Sequence, residues 1–149
     1  MNADNEWMEM ALEEARRAAL EGEVPVGAVA VLDGRLVARN HNRTLQLCDP
    51  TAHAEILVLR EAALRIGNYR LNGLGLLVTL EPCPMCAGAM VWARISRLVY
   101  GATDEKGGAV ESKLAVLQPG LLNHTVEVIR GPGSEESTRL LQAFFSERR

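Results

Sequence analysis

The chain has 149 residues, 48% of them hydrophobic and 23% charged, the proportions of a globular domain able to bury a sizeable core. With 16 Lys and Arg against 19 Asp and Glu, the net charge is −3, which excludes a uniformly basic nucleic-acid binder but leaves room for a local basic patch. The longest apolar stretches, such as 87–93, are far short of the roughly 20 residues a membrane span requires. Asp4 and Glu6 precede any apolar run, which is not the order of a signal peptide. Three cysteines, two of them in a CxxC, argue against a disulfide framework. The expectation is one domain over residues 1–149, cytoplasmic and not membrane-bound, with no repeat, low-complexity tract or linker.

Residues 7–20 place Met8, Ala11, Leu12, Ala15, Ala19 and Leu20 at helical spacing, leaving Glu13, Glu14, Arg16 and Arg17 for solvent. Residues 26–32 are short, apolar and valine-rich; Asp33-Gly34 interrupts them and Leu36-Val37-Ala38 resumes, a strong hairpin signal. A polar loop over 40–50 precedes a helix over 51–66 that Gly67 terminates. Residues 74–80 read as a buried strand and 83–93 as a helix apolar nearly all round. Strands over 97–101 and 125–129 follow, then a helix over 134–145 with Ser134 as its N-cap. Helices alternating with strands after an opening hairpin predict an α/β fold, a mixed sheet covered by helices.

Two segments stand out chemically: Asp49-Pro50-Thr51-Ala52-His53-Ala54-Glu55 and Glu81-Pro82-Cys83-Pro84-Met85-Cys86. Pro50 and Pro82 suit the first position of a helix, which would put His53, Cys83 and Cys86 in or near first turns. The positive end of a helix favours thiolates, and cysteines three apart on a turn can face one centre. One imidazole and two thiolates make three zinc ligands with the fourth position left for water, the pattern of a catalytic site. Glu55, two residues past His53, can reach that water without binding the metal. His-x-Glu with Pro-Cys-x-x-Cys resembles the signature of zinc-dependent base deaminases. That resemblance implies that Glu55 takes the water proton, delivers it to a ring nitrogen and later protonates departing ammonia, so that an amidine carbon becomes an oxo group.

Further likeness extends over nearly the whole chain. The runs Glu23-Val24-Pro25-Val26-Gly27-Ala28-Val29, Asn42-Arg43, 49–55, 79–90 and the ending Phe144-Phe145-Ser146-Glu147-Arg148-Arg149 resemble the bacterial tRNA-specific adenosine deaminases, of the cytidine/deoxycytidylate deaminase superfamily. The resemblance implies a cytidine-deaminase-like three-layer fold with a central mixed five-stranded sheet, a homodimer, one zinc per subunit, and conversion of adenosine to inosine at the wobble position of a tRNA anticodon. It also implies that Asn42 contacts the base, that Val26, Ala54 and Pro82 line its pocket, and that Asp104 lies beside the target nucleotide. His41 stands where relatives carry an indole, and Cys48, Thr103 and Glu105 also depart from the family pattern.

The residues leave other readings open. A CxxC that opens a helix after a strand is also a redox arrangement, though it leaves His53 and Glu55 without a role. A closed structural zinc site would recruit Cys48 as fourth ligand and have no use for Glu55; otherwise Cys48 is a small buried or loop residue. His41 and His124 read as surface or hydrogen-bonded loop histidines, and Met85, Met90, Val91 and Trp92 as core, or core plus subunit interface. A free-base deaminase acting on guanine would share the zinc chemistry and need no RNA surface. For an RNA substrate, the last helix offers Arg139, Arg148 and Arg149 to phosphates, and Phe144 with Phe145 to packing or stacking, one of the pair buried and the other facing the substrate.

Overall fold

The computed structural model describes residues 3–148. Its elements run α1 (Ala3–Leu20), β1 (Gly27–Leu32), β2 (Arg35–His41), α2 (Ala54–Ile66), β3 (Gly75–Leu80), α3 (Pro84–Ala93), β4 (Arg97–Ala102), β5 (Glu127–Arg130) and α4 (Ser134–Ser146). The strands form one mixed sheet in the order β2-β1-β3-β4-β5. β1 is antiparallel to both β2 and β3, whereas β3, β4 and β5 are mutually parallel. The hairpin turns on Asp33 and Gly34, both left-handed at φ 52° and 74°, as the two-residue turn between twisted strands requires.

The sheet is buried on both faces, which makes three layers. On one face α2 and α3 set Val58, Leu59, Ala62, Met90 and Val91 against Ala28, Leu76 and Leu98. On the other, α1 sets Met8, Ala11 and Leu12 against Val29, Leu77 and Val99, with Leu140 of α4 at the margin. Strand side chains alternate between the two clusters, as a period of two dictates. α1 lies so close to β1 that a Cβ at Gly27 would stand 2.0 Å from the Ala11 carbonyl oxygen; glycine is what permits the approach.

Several boundaries differ from the sequence reading. α2 begins at Ala54 rather than at 51, and Pro50 lies in the preceding turn. α3 begins at Pro84, which takes the first helical position expected of Pro82. Both changes follow from one fact: the residues that precede these helices, His53 and Cys83, hold extended backbone as N-caps. In α4 the N-cap is Gly133, at φ 94°, and Ser134 is the first helical residue. β4 and β5 are joined by residues 103–126, which carry no helix or strand.

Candidate active site

The two N-cap positions face one another. An N-cap side chain commonly accepts a hydrogen bond from its own helix, but His53 and Cys83 make no such bond. They turn instead toward a common point, where the third turn residue of α3, Cys86, also arrives. His53 Nδ1 lies 3.5 Å from Cys83 Sγ and 3.5 Å from Cys86 Sγ. The three donor atoms all fall within 4.8 Å of one another, the one such His/Cys/Asp/Glu group among the described residues. Tetrahedral zinc, with bonds of about 2.3 Å to sulfur and about 2.0 Å to nitrogen, separates an S and an N ligand by about 3.5 Å. The donor set and its spacing therefore fit that metal. The N-termini of α2 and α3 both direct partial positive charge at the cluster, which favours the thiolate form.

The ionisation pattern agrees. The Cys86 thiol donates toward Cys83, and together with His53 this holds the Cys83 sulfur down at about 4 despite its burial. The shared proton, and burial, push Cys86 up, while the Cys83 sulfur raises His53. Glu55, second residue of α2 and 4% exposed, is pushed up to about 7 by burial. A carboxyl poised near neutrality can both accept and return a proton.

Above the cluster is a cavity of about 210 Å³ lined by His53, Glu55, Cys83 and, among others, Val26, Asn42 and Asp104. Ala54 also lines it, whereas Pro82, expected there, is buried outside the lining, with its carbonyl accepting the Ala109 N–H at 2.8 Å. Val24, Leu80 and Asp104 border both this cavity and a wider groove of about 1210 Å³. Phe145 and Arg148 stand in that groove, not in the cavity itself. Phe144 is 7% exposed and Phe145 49%, so the two neighbours divide between core and groove. The Arg148 guanidinium stacks 3.5 Å above the Phe144 ring and donates to the Phe144 carbonyl. Arg139 pairs with Glu136 and lies in a separate cleft against α1. Arg149 lies outside the described residues.

Two buried acids missed by the sequence reading hold the walls. Glu23, 1% exposed, accepts the backbone N–H of Leu45 at 3.2 Å and of Gln46 at 2.8 Å, and faces the Asn42 amide at 3.4 Å. Glu81, 2% exposed, accepts backbone N–H groups from residues 104–112. Burial opposes its ionisation, but bonds from the Glu111 N–H, the Ser112 hydroxyl and the Asp104 and Ser112 N–H groups outweigh that and bring it to about 2. The available signal was an acidic residue within two positions of a proline at the edge of an apolar strand, Glu23 ahead of β1 and Glu81 just after β3.

Other expectations resolve here. Cys48 is exposed at a turn with φ 48° and stands apart from the cluster, so the closed four-ligand arrangement is not assembled. His41 is no surface residue: it is buried at the end of β2, between Glu14 at 2.8 Å and Glu21 at 2.7 Å. His124 bonds the Ile95 carbonyl from its loop. On α3, Met90 and Val91 are core, while Trp92 is 81% exposed and Met85 36%.

Comparison with known proteins agrees with this geometry. The model of the MafB19-like deaminase family matches residues 2–149. A tRNA-specific adenosine deaminase of Agrobacterium fabrum is 53% identical over 96% of this chain and 94% of its own length. That of Bacillus subtilis is 46% identical over 100% and 92%. A structure from biochemical and structural studies of A-to-I editing by tRNA:A34 deaminases at the wobble position of transfer RNA superposes with a TM-score of 0.89, at 52% identity, covering 92% of this chain and 99% of that one. The mixed five-stranded sheet and its helices are thus the cytidine-deaminase-like fold. With the match running through nearly every residue and the donor cluster intact, the chain belongs to the MafB19-like deaminase family and, within it, to the tRNA-specific adenosine deaminases.

Proposed function

We propose that residues 1–149 act as one zinc-dependent deaminase domain that converts adenosine to inosine, by hydrolysis, at the wobble position of a tRNA anticodon. The observation that carries this reading is the meeting of His53, Cys83 and Cys86 beside a cavity that His53, Cys83 and Glu55 line. Those three residues would hold one zinc per subunit, which, when bound, acts as a Lewis acid and brings the pKa of a water ligand towards 7.

The chain's own groups do the rest. Glu55 accepts a proton from the attacking water, passes one to a ring nitrogen of the base and returns one to the leaving ammonia. Val26 and Ala54 offer apolar surface to the base plane, and Asn42 and Asp104 polar contacts. The cavity has room for one extruded base, which suits a nucleotide unstacked from an RNA loop. Flanking nucleotides then run into the groove, where Phe145 offers a stacking face and Arg148, with Arg149 beyond it, offers charge to phosphates. Such a substrate places the enzyme in the cytoplasm, and the exposed Trp92 and Met85 of α3 support a homodimer formed through that helix.

The test is ammonia release from an anticodon stem-loop with adenosine at the wobble position, set against guanine and cytidine as free substrates. Inosine in the stem-loop product is expected. Turnover of guanine with none of the RNA would replace this reading with that of a free-base deaminase.

A further inference from the structure

Among the buried acids, Glu81 holds the most backbone, and the deamination steps leave it without a task. It follows the last residue of β3 and stands two residues before Cys83. One carboxylate oxygen accepts the N–H groups of Val110, Glu111 and Ser112 at 3.1, 2.8 and 2.9 Å. The other accepts the Asp104 N–H at 3.0 Å and the Ser112 hydroxyl. A carboxylate has about four lone-pair sites, and these donors fill them. The loop is moulded to the acid: a Cβ at Gly108 would lie 2.3 Å from Glu81 Cδ, so a side chain there would collide with the carboxylate. The backbone repeats the attachment, with the Ala109 N–H on the Pro82 carbonyl and the Glu81 N–H on the Ala102 carbonyl, both at 2.8 Å.

What the loop carries gives this arrangement its meaning. Asp104 borders both the cavity and the groove, and Lys106 lines the groove. Residues 103–126 have no strand ladder or helix of their own to fix these two. Glu81 is tied by two peptide bonds to a residue of the donor cluster and by hydrogen bonds to the loop. Of these attachments, the one made at Asp104 itself is to the Glu81 carboxylate, so the separation of Asp104 from the reacting centre is set chiefly through this side chain. We propose that Glu81 is a positioning residue for the RNA: it anchors the 104–112 loop to the Pro82-Cys83 segment and so holds Asp104 at the mouth of the cavity and Lys106 in the groove. The inference rests on the deaminase reading above and assigns that site a specificity element.

Glu81→Gln preserves the shape but turns an NH2 group toward N–H donors, which leaves part of the loop unaccepted. The zinc-loaded variant and parent are compared by limited trypsin digestion and by steady-state kinetics on the anticodon stem-loop. Cleavage after the exposed Lys106 should quicken by about tenfold, the equivalent of one charge-assisted hydrogen bond, with cleavage after Arg17 in α1 unchanged. KM for the stem-loop should rise by about as much while kcat stays within about threefold, and zinc should remain at one per chain. Gly108→Ala, which pushes the loop off the same acid without altering charge, should reproduce both effects and carries the test if the glutamine variant does not fold. Unchanged cleavage and KM overturn the proposal. So does a fall in kcat at constant KM, or loss of zinc, either of which would assign Glu81 to the ligand segment. If the parent protein itself leaves the stem-loop unmodified, the deaminase reading falls, and the digestion still decides whether Glu81 holds the loop.

Discussion

The donor cluster and the outer groove adjoin, with Val24, Leu80 and Asp104 bordering both the cavity and the groove, yet they are built differently. At the cluster, two helix starts bring His53, Cys83 and Cys86 together behind a buried Glu55. In the groove, Phe145 stands on α4 and Arg148 in the turn just past its end, opposite a loop on which one acid gathers four backbone N–H groups. The cluster concentrates charge where water is scarce, so each group there is strongly perturbed. The groove spreads modest contacts over a screened surface, where single losses are small and additive. In a protein of net charge −3, that surface cannot rely on bulk attraction to RNA.

Substitutions should reproduce this ranking. The largest effect is expected from Cys86→Ala: zinc content should fall from one per chain to near zero, deamination to background, and the thermal midpoint should drop, because metal binding free energy is partly folding free energy. Metal analysis with calorimetry decides it, and full zinc content would remove Cys86 from the donor set. Next comes Glu55→Gln, for which turnover should fall about 10²–10⁴-fold with zinc and stability intact. Single-turnover rates on zinc-quantified protein measure this; loss of metal instead would make Glu55 a ligand.

At the rim, Arg148→Ala should weaken RNA binding only a few-fold and reduce the slope of log affinity against log salt by about one, as for one phosphate contact. A salt titration with unchanged slope would take Arg148 out of the RNA path. The smallest effect lies on the far side of the sheet, where Arg97 grips both oxygens of Asp4 at 3.0 and 2.8 Å. The Arg97 bonds hold Asp4 below its ordinary value of 3.8. A lowered carboxylate stabilises the fold above its unfolded pKa and loses that contribution as pH falls through the folded one. Asp4→Asn should therefore cost about 1 kcal/mol at pH 7. The cost should begin to shrink as the pH falls below 3.8 and vanish once it is below the folded-state value, with RNA binding unchanged throughout. Denaturant melts at the two pH values read it directly.

The same contrast explains what the sequence disclosed. The cluster was legible because its geometry is local: His53 and Glu55 lie two residues apart and Cys83 and Cys86 three, so a helix start is enough to aim them. The hairpin was legible for the same reason, through Asp33-Gly34. Pro50 misled by four residues and Pro82 by two, because both helices begin only after an extended N-cap residue that turns to the cluster. Glu23 and Glu81 were passed over because their partners lie 19 to 31 residues away, at a range where spacing carries no signal. His41 needed α1 folded against β2 before its two carboxylate partners could be seen.

The two ends of the sheet also differ in how the chain reaches them. β1 and β2 close over a two-residue turn, whereas β5 must find β4 across residues 103–126. Closing the longer loop costs more chain entropy, and it is returned only by a four-residue edge strand, three of whose side chains are exposed. In folding time, β5 is thus a late arrival, docked after the hairpin and the central strands exist. In native-state hydrogen exchange, its amides should be the first of the five strands to open.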